Sequence, residues 1–188
     1  MPQTLAAPAT YADLEAVPPH LVAEILFGRL VTHPRPAPRH GAAAASLCGE
    51  LVGPYQKGRG GPGGWIFLVE PELHLGPHVT VPDLAGWQRK RLPAEAVRHA
   101  YIEVAPDWIC EVLSPSTEKY DKGDKRRIYA DYGVEYLWHL DPRAHSLETF
   151  VRREQSWLLT SVYFDADEVC ATPFTEAQFA LDVLWSLD

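Results

Sequence analysis

A chain of 188 residues, 46% of them hydrophobic, can bury one substantial core, and residues 1–188 are accordingly read as one domain. A formal net charge of -8 and a pI near 5.4 repel a polyanion on average; this counts against a non-specific DNA coat but does not exclude an enzyme whose local basic strip meets phosphate. No run is long and apolar enough to cross a bilayer, the opening residues lack a basic n-region, and Cys48, Cys110 and Cys170 match no zinc or C-x-x-C spacing. A cytoplasmic protein with no membrane partner and with reduced core cysteines is expected.

Thr10 precedes Tyr11, Leu14 and Val17 at helical spacing, which predicts a short capped helix ending at Pro18-Pro19. LVAEILFGRLVTHP reads as a β-hairpin pivoting on Phe27-Gly28. The prolines of PRPAPRHG predict an irregular stretch, and a helix follows from about Ala42 to Tyr55. The glycine-rich KGRGGPGG lacks the G-K-[ST] ending of a phosphate cradle and reads as a connector. WIFLVE, ELHLG and HVTVPDLAGW read as strands, and RLPAEAVRHAYIEVAP as a loop carrying some helix.

DWICEVLSP has the nearly unbroken apolar character of a strand buried on both faces. STEKYDKGDKRRIYADYG then reads as a helix interrupted near Gly123, with Ile128, Tyr129 and Tyr132 facing inward and Gly133 closing it. VEYLWHLDP, SLETFVRR and SWLLTSVYF read as further strands, and the tail TPFTEAQFALDVLWSLD is apolar enough to pack back on the rest. Strands at 108–113 and 135–140 with the helix between them form a right-handed βαβ crossover. The expected fold is therefore α/β in the broad sense, an α+β mixed sheet flanked by helices.

Glu111 is the strongest anomaly, a carboxylate within an otherwise apolar buried strand. Leaving it unpaired there costs several kcal/mol, so a basic partner, a proton or a metal ion must compensate it. Asp83 ends the extended run HVTVPD after Pro82. If the two strand ends lie side by side, their carboxylates repel and a hard divalent cation is a natural third member. The plainer alternatives are a turn carboxylate at Asp83 and a structural ion pair at Glu111. No histidine pair at metal spacing and no G-x-S-x-G elbow point to zinc or serine hydrolase chemistry.

YADLEAVPPH, AEILFGRLV, PRPAPRH, TVPDLAGW and the long block ICEVLSPSTEKYDKGDKRRIYADYGVEYLWHLDP stand in a fixed order. On these motifs nearly the whole chain resembles the Uma-type restriction endonuclease family of the PD-(D/E)XK nuclease superfamily. The resemblance implies a restriction-endonuclease-like core, an endonuclease acting on DNA, a Mg2+ or Mn2+ cofactor and a homodimer or higher homo-oligomer. It implies catalytic roles for Asp83, Glu111, Lys125 and Glu24, with Asp83, Glu111 and the Val112 carbonyl as metal ligands. Leu113 stands where the superfamily usually has its lysine, and Lys125 of the next helix matches the family's replacement. Arg39, His40 and Lys122 are candidates for phosphate contact, and Ser116 or Thr117 for helix capping. A second reading is a nuclease-fold binding or regulatory module with little or no turnover.

Overall fold

In the computed structural model, residues 7–185 and 187 are described. Helix α1, Tyr11–Glu15, is entered through a reciprocal box in which Thr10 and Asp13 each accept the other's backbone N–H. Strands β1, Leu21–Leu26, and β2, Arg29–Pro34, form the expected antiparallel hairpin. Its two-residue turn has φ of 50° at Phe27 and 72° at Gly28. Two consecutive positive φ values match the twist of the flanking strands, and a glycine at the second place relieves the strain.

Helix α2 begins earlier than the prolines suggested. It spans Pro38–Leu51, with Pro38 in the first turn, and widens into a π-helical turn at Val52–Gln56. A proline at the start of a helix has no N–H to lose and already holds the helical φ, so PRPAPRHG is half helix. Ala43, Ala44, Leu47 and Leu51 form its buried face.

Strands β3, Trp65–Val69, β4, Glu72–Leu75, and β5, His78–Thr80, follow. The run HVTVPDLAGW, expected as one strand, is two. β5 ends at Thr80 and β6, Leu84–Gln88, starts after Val81-Pro82-Asp83. β5 pairs with β1 and β4, whereas β6 pairs with β3 and with β8, Trp108–Val112. The chain therefore changes sheets at a proline, which has no N–H for a ladder. A 3-10 turn at Arg89–Arg91 and a short β7, Tyr101–Ile102, occupy the loop beyond.

Helix α3 comprises an α-turn at Glu118–Tyr120, a π-helical stretch at Asp121–Lys125 and α-helix at Arg126–Asp131, ended by Gly133 at φ 82°. It joins β8 to β9, Tyr136–Asp141, and these two strands pair in parallel, as the crossover predicts. Ile128 and Tyr129 are buried, but Tyr132 is 37% exposed, a correction to its inward assignment. It is the residue just past the last helical turn, where the backbone already departs from helical angles. Strands β10, Ser146–Arg153, and β11, Ser156–Phe164, complete the edge.

The result is a mixed α+β fold with a five-stranded sheet, β2-β1-β5-β4-β7, and a six-stranded sheet, β11-β10-β9-β8-β6-β3. One apolar cluster joins Trp108, Cys110 and Val112 of β8 to α2 and the tail, and the other joins Ile109 to α3 and the hairpin sheet. Alternation along a pleated strand produces this division. The tail forms a small ribbon, β12, Glu168–Val169, with β13, Phe179–Ala180, and a 3-10 turn at Leu181–Leu184. Phe174 meets the rings of Tyr55, Trp65, Phe67, Trp108 and Trp138 edge-on. Cys110 is buried and Cys48 half-buried, but Cys170 is exposed in the tail and is not a core residue. Among the described residues, no helix is long and apolar enough to cross a membrane.

Candidate active site

Glu111 and Ile109 share the face of β8 that α3 covers, opposite Trp108, Cys110 and Val112. Its side chain is almost wholly buried, and one oxygen, Oε1, accepts both the Tyr129 hydroxyl at 2.6 Å and the Lys125 ammonium at 2.8 Å. A basic partner is thus present. Burial pushes the carboxyl well above its ordinary range, Lys125 pulls it back, and the charges of Asp121 and Asp83 raise it again.

Asp83 sits where the chain passes between sheets, and backbone groups there have no strand ladder to join. The Glu70 N–H donates to the Asp83 carbonyl at 3.0 Å, and side chains of the site satisfy others. The Val81 N–H donates to Glu24 Oε1 at 2.8 Å, the Val81 carbonyl lies 3.4 Å from Lys125 Nζ, and the Val112 N–H donates to Asp83 Oδ2 at 2.7 Å. Because β6 pairs with β8 through Leu84 and Cys110, Asp83, the residue just before β6, comes beside Glu111 of β8. The other Asp83 oxygen, Oδ1, is 3.3 Å from His40 Nε2, on the first turn of α2. Burial alone would lower the His40 pKa, but the hydrogen bond and charge of Asp83 raise it.

Lys125 lies at the centre. Its Nζ is 2.8 Å from Glu111, 3.2 Å from Asp121 Oδ1 and 3.4 Å from Glu24 Oε1, and the residue is 3% exposed. Burial would strip its proton, yet Glu111 and Glu24 raise its pKa well above that of a free lysine. For Glu24, burial again opposes the charge, and Lys125, His33 and the Val81 N–H together hold its pKa down. Asp121 precedes Lys125 by one turn of the π-helical stretch.

Asp83, Glu111, Asp121, Lys125, His33 and His40 all border one pocket, whose mouth carries Ser114, Ser116 and Thr117. Its void of about 30 Å³ has room for one or two waters. Four wall carboxylates, Glu70, Asp83, Glu111 and Asp121, with Glu24 beneath them outnumber the one ammonium, and all their donors are hard oxygens, the chemistry that Mg2+ and Mn2+ prefer. The residues present therefore fit a hard divalent cation. Among the described residues, no group of three His, Cys, Asp or Glu side chains is placed to hold a metal ion as it stands.

The sequence profile of the Uma2 family, described as "Putative restriction endonuclease", matches residues 8–184. The chain belongs to the Uma2 family. A crystal structure of a "putative nuclease belonging to DUF820" from Anabaena variabilis ATCC 29413 is similar in fold, with a TM-score of 0.73 over 95% of this chain and 98% of that one. The two are 22% identical. No curated protein matches the chain. The family description supports a nuclease, and the Anabaena protein supports the fold.

Within this Uma2 chain, Asp83, Glu111 and Lys125 come together, and Glu24 stands behind Lys125 with both its oxygens engaged, Oε2 lying 3.5 Å from His33. Val112 meets the site through its N–H, on Asp83, and its backbone adds to the upward pull on His40. His40 lines the pocket. Lys122 is exposed and bonded to Glu118 at 2.8 Å, and Arg39 is exposed on the first turn of α2; neither borders the pocket. Ser114 bonds Ser116 and Thr117 through hydroxyls at 3.0 and 2.9 Å, and no side-chain cap is made from Thr117. Sequence reasoning gave no task to Asp121, Tyr129 or His33. The first was within reach, since D-x-G-x-K places Asp121 four residues before Lys125.

Proposed function

We propose that this chain is a divalent-metal-dependent endonuclease of the PD-(D/E)XK type that hydrolyses phosphodiester bonds in DNA. The observation that carries the reading is the convergence of Asp83, Glu111 and Lys125 on one pocket, from a sheet crossover, a central strand and the following helix. Asp83 and Glu111, with the Val112 backbone, would hold Mg2+ or Mn2+. When bound, the cation supplies positive charge to the scissile phosphate and a more acidic water.

Three carboxylates around Lys125 keep its proton in place, which suits it to stabilising negative charge on phosphate oxygens. Glu24 holds that ammonium from behind and fixes the Val81 backbone, so it acts as a positioning residue. Tyr129 orients Glu111 by donating to Oε1, so Oε2 would be the oxygen offered to the cation. His40 restrains Asp83 and can donate to a phosphate at the mouth, with Arg39 and Lys122 meeting flanking phosphates further out. A cytoplasmic homodimer that presents one site to each DNA strand belongs to the same reading.

A second reading has one observation in its favour. Lys125 is already satisfied by the protein's own acids, as in a structural core, which suits a nuclease-fold binding module with little turnover. Incubation of supercoiled plasmid and single-stranded DNA with Mg2+, Mn2+ or EDTA separates the two. The wild type is expected to nick plasmid only with metal, and Asp83→Asn, Glu111→Gln and Lys125→Met are each expected to abolish nicking. Cleavage that survives all three substitutions rules out this site; binding without cleavage under any metal selects the second reading.

A further inference from the structure

Asp121 is a carboxylate of the pocket whose only task so far is to hold the Lys125 ammonium through one oxygen. It is 2% exposed, and Oδ1 faces the Lys125 ammonium at 3.2 Å. Its second oxygen, Oδ2, is buried and has no hydrogen-bond partner. The hydroxyl of Thr117, one turn earlier, is engaged by Ser114 at 2.9 Å. An ionised buried oxygen without a donor is among the most unfavourable arrangements in a protein interior.

A proton, a water or a cation could satisfy that oxygen, and the surroundings discriminate among them. Asp83 and Glu111 border the same void, Glu24 lies behind it, and Lys125 is the ammonium set among them. Burial raises the Asp121 carboxyl above its ordinary range, Lys125 and then the Thr117 hydroxyl pull it back, and the charges of Asp83 and Glu24 add to the rise. A water or a single proton on Asp121 leaves the repulsion among the remaining acids in place, whereas a divalent cation removes it. Among the buried acids, Glu111 has Tyr129 and Lys125, Asp83 has Val112 and His40, and Glu24 has Val81 and His33, while Glu70, also on the pocket wall, is exposed to solvent.

We propose that Asp121, through Oδ2, is a direct ligand of the divalent cation, completing with Asp83 and Glu111 a three-carboxylate seat. This rests on the metal-dependent reading above and extends it. Ligation requires some side-chain movement, because the acids do not stand as a finished cage. Asp121 is suited to make it, since Oδ2 has no bond to break. Lys125 remains between Asp121 Oδ1 and Glu111 Oε1, tying the new ligand to an old one.

Binding of Mn2+ to the full chain, followed by electron paramagnetic resonance of the free ion and by calorimetry, tests this without any cleavage assay. The proteins are wild type, Asp83→Asn, Asp121→Asn and Asp121→Ala, each checked for folding by circular dichroism. Asp121→Asn is expected to weaken Mn2+ binding by at least about tenfold, the smaller loss found even when a group that only supports a metal ligand is removed. Melting gives a second readout. In EDTA, Asp121→Asn is expected to melt at or above wild type, because an orphaned charge is gone, and in saturating Mn2+ below it. A merely structural aspartate would shift both temperatures in one direction, and that result would overturn the proposal. Mn2+ affinity within twofold of wild type in both Asp121 variants, alongside loss in Asp83→Asn, overturns it too while leaving the metal-dependent reading intact. A wild type that binds no Mn2+ overturns both.

Discussion

Lys125→Met is the most direct perturbation of the buried charge cluster. Methionine keeps most of the side chain's length and deletes the ammonium, so Glu111, Asp121 and Glu24 lose a common partner at 2.8, 3.2 and 3.4 Å. Breaking a buried pair by removing one member costs about 3–5 kcal/mol. At roughly 2–4 °C per kcal/mol for a chain of this size, the melting temperature at pH 7 is expected to fall by roughly 6–20 °C. The pH dependence has a definite sign. Without the lysine the folded-state carboxyls titrate above their unfolded values, so the penalty is full above the folded pKa values. It fades as pH falls toward roughly 4, where the unfolded carboxyls also take up protons. Thermal unfolding of wild type and variant from pH 4 to pH 8 in EDTA measures both effects. A variant that melts within about 2 °C of wild type at pH 7, or a penalty that grows in acid, would refute the view that this ammonium neutralises buried charge.

Tyr129→Phe removes the 2.6 Å hydrogen bond to Glu111 in a fully buried setting; urea denaturation is expected to show a loss of about 1–3 kcal/mol. Phe174→Ala empties the centre of five aromatic contacts, with an expected cost of about 3–5 kcal/mol and a collapse of the near-ultraviolet tryptophan dichroism before the far-ultraviolet signal. On the surface, Lys122 first and then Arg143 hold the Glu118 carboxyl down to about 2. That stabilisation is present above the unfolded carboxyl pKa and is lost as pH falls toward the folded value. Because the group is exposed, Arg143→Ala is expected to cost under about 1 kcal/mol at pH 7, and the difference in urea midpoint should vanish near pH 2.

Local chemistry made the hairpin legible, because Phe27-Gly28 permits the paired positive φ values that a two-residue turn demands. It also exposed Glu111, since an acid amid WICEVL conflicts with its neighbours wherever the strand lies. The parallel pairing of β8 with β9 followed from an apolar strand, a helix and another apolar strand. What escaped had no local signature. A proline can end regular structure or begin a helix, and only the packing of Ala43, Ala44, Leu47 and Leu51 decides in favour of α2 starting at Pro38. The change of sheets at Val81-Pro82-Asp83 depends on which strands lie alongside, which periodicity within one run does not encode. Lys125 is singled out by the family resemblance alone, since its own segment shows it as one cation among several. Its burial follows from the π-helical stretch and from the covering of α3 against β8, neither of which has a sequence period of its own.

Because the amine comes from α3 while two acids belong to the sheets, the reactive constellation is written across two bodies rather than along one. Sheet geometry is held by ladders of backbone bonds; the seating of a helix on a sheet rests on side-chain packing, here that of Ile128 and Tyr129. A disturbance that lifts this one helix would scatter the chemistry while leaving both sheets whole, so competence and foldedness can part company in this chain.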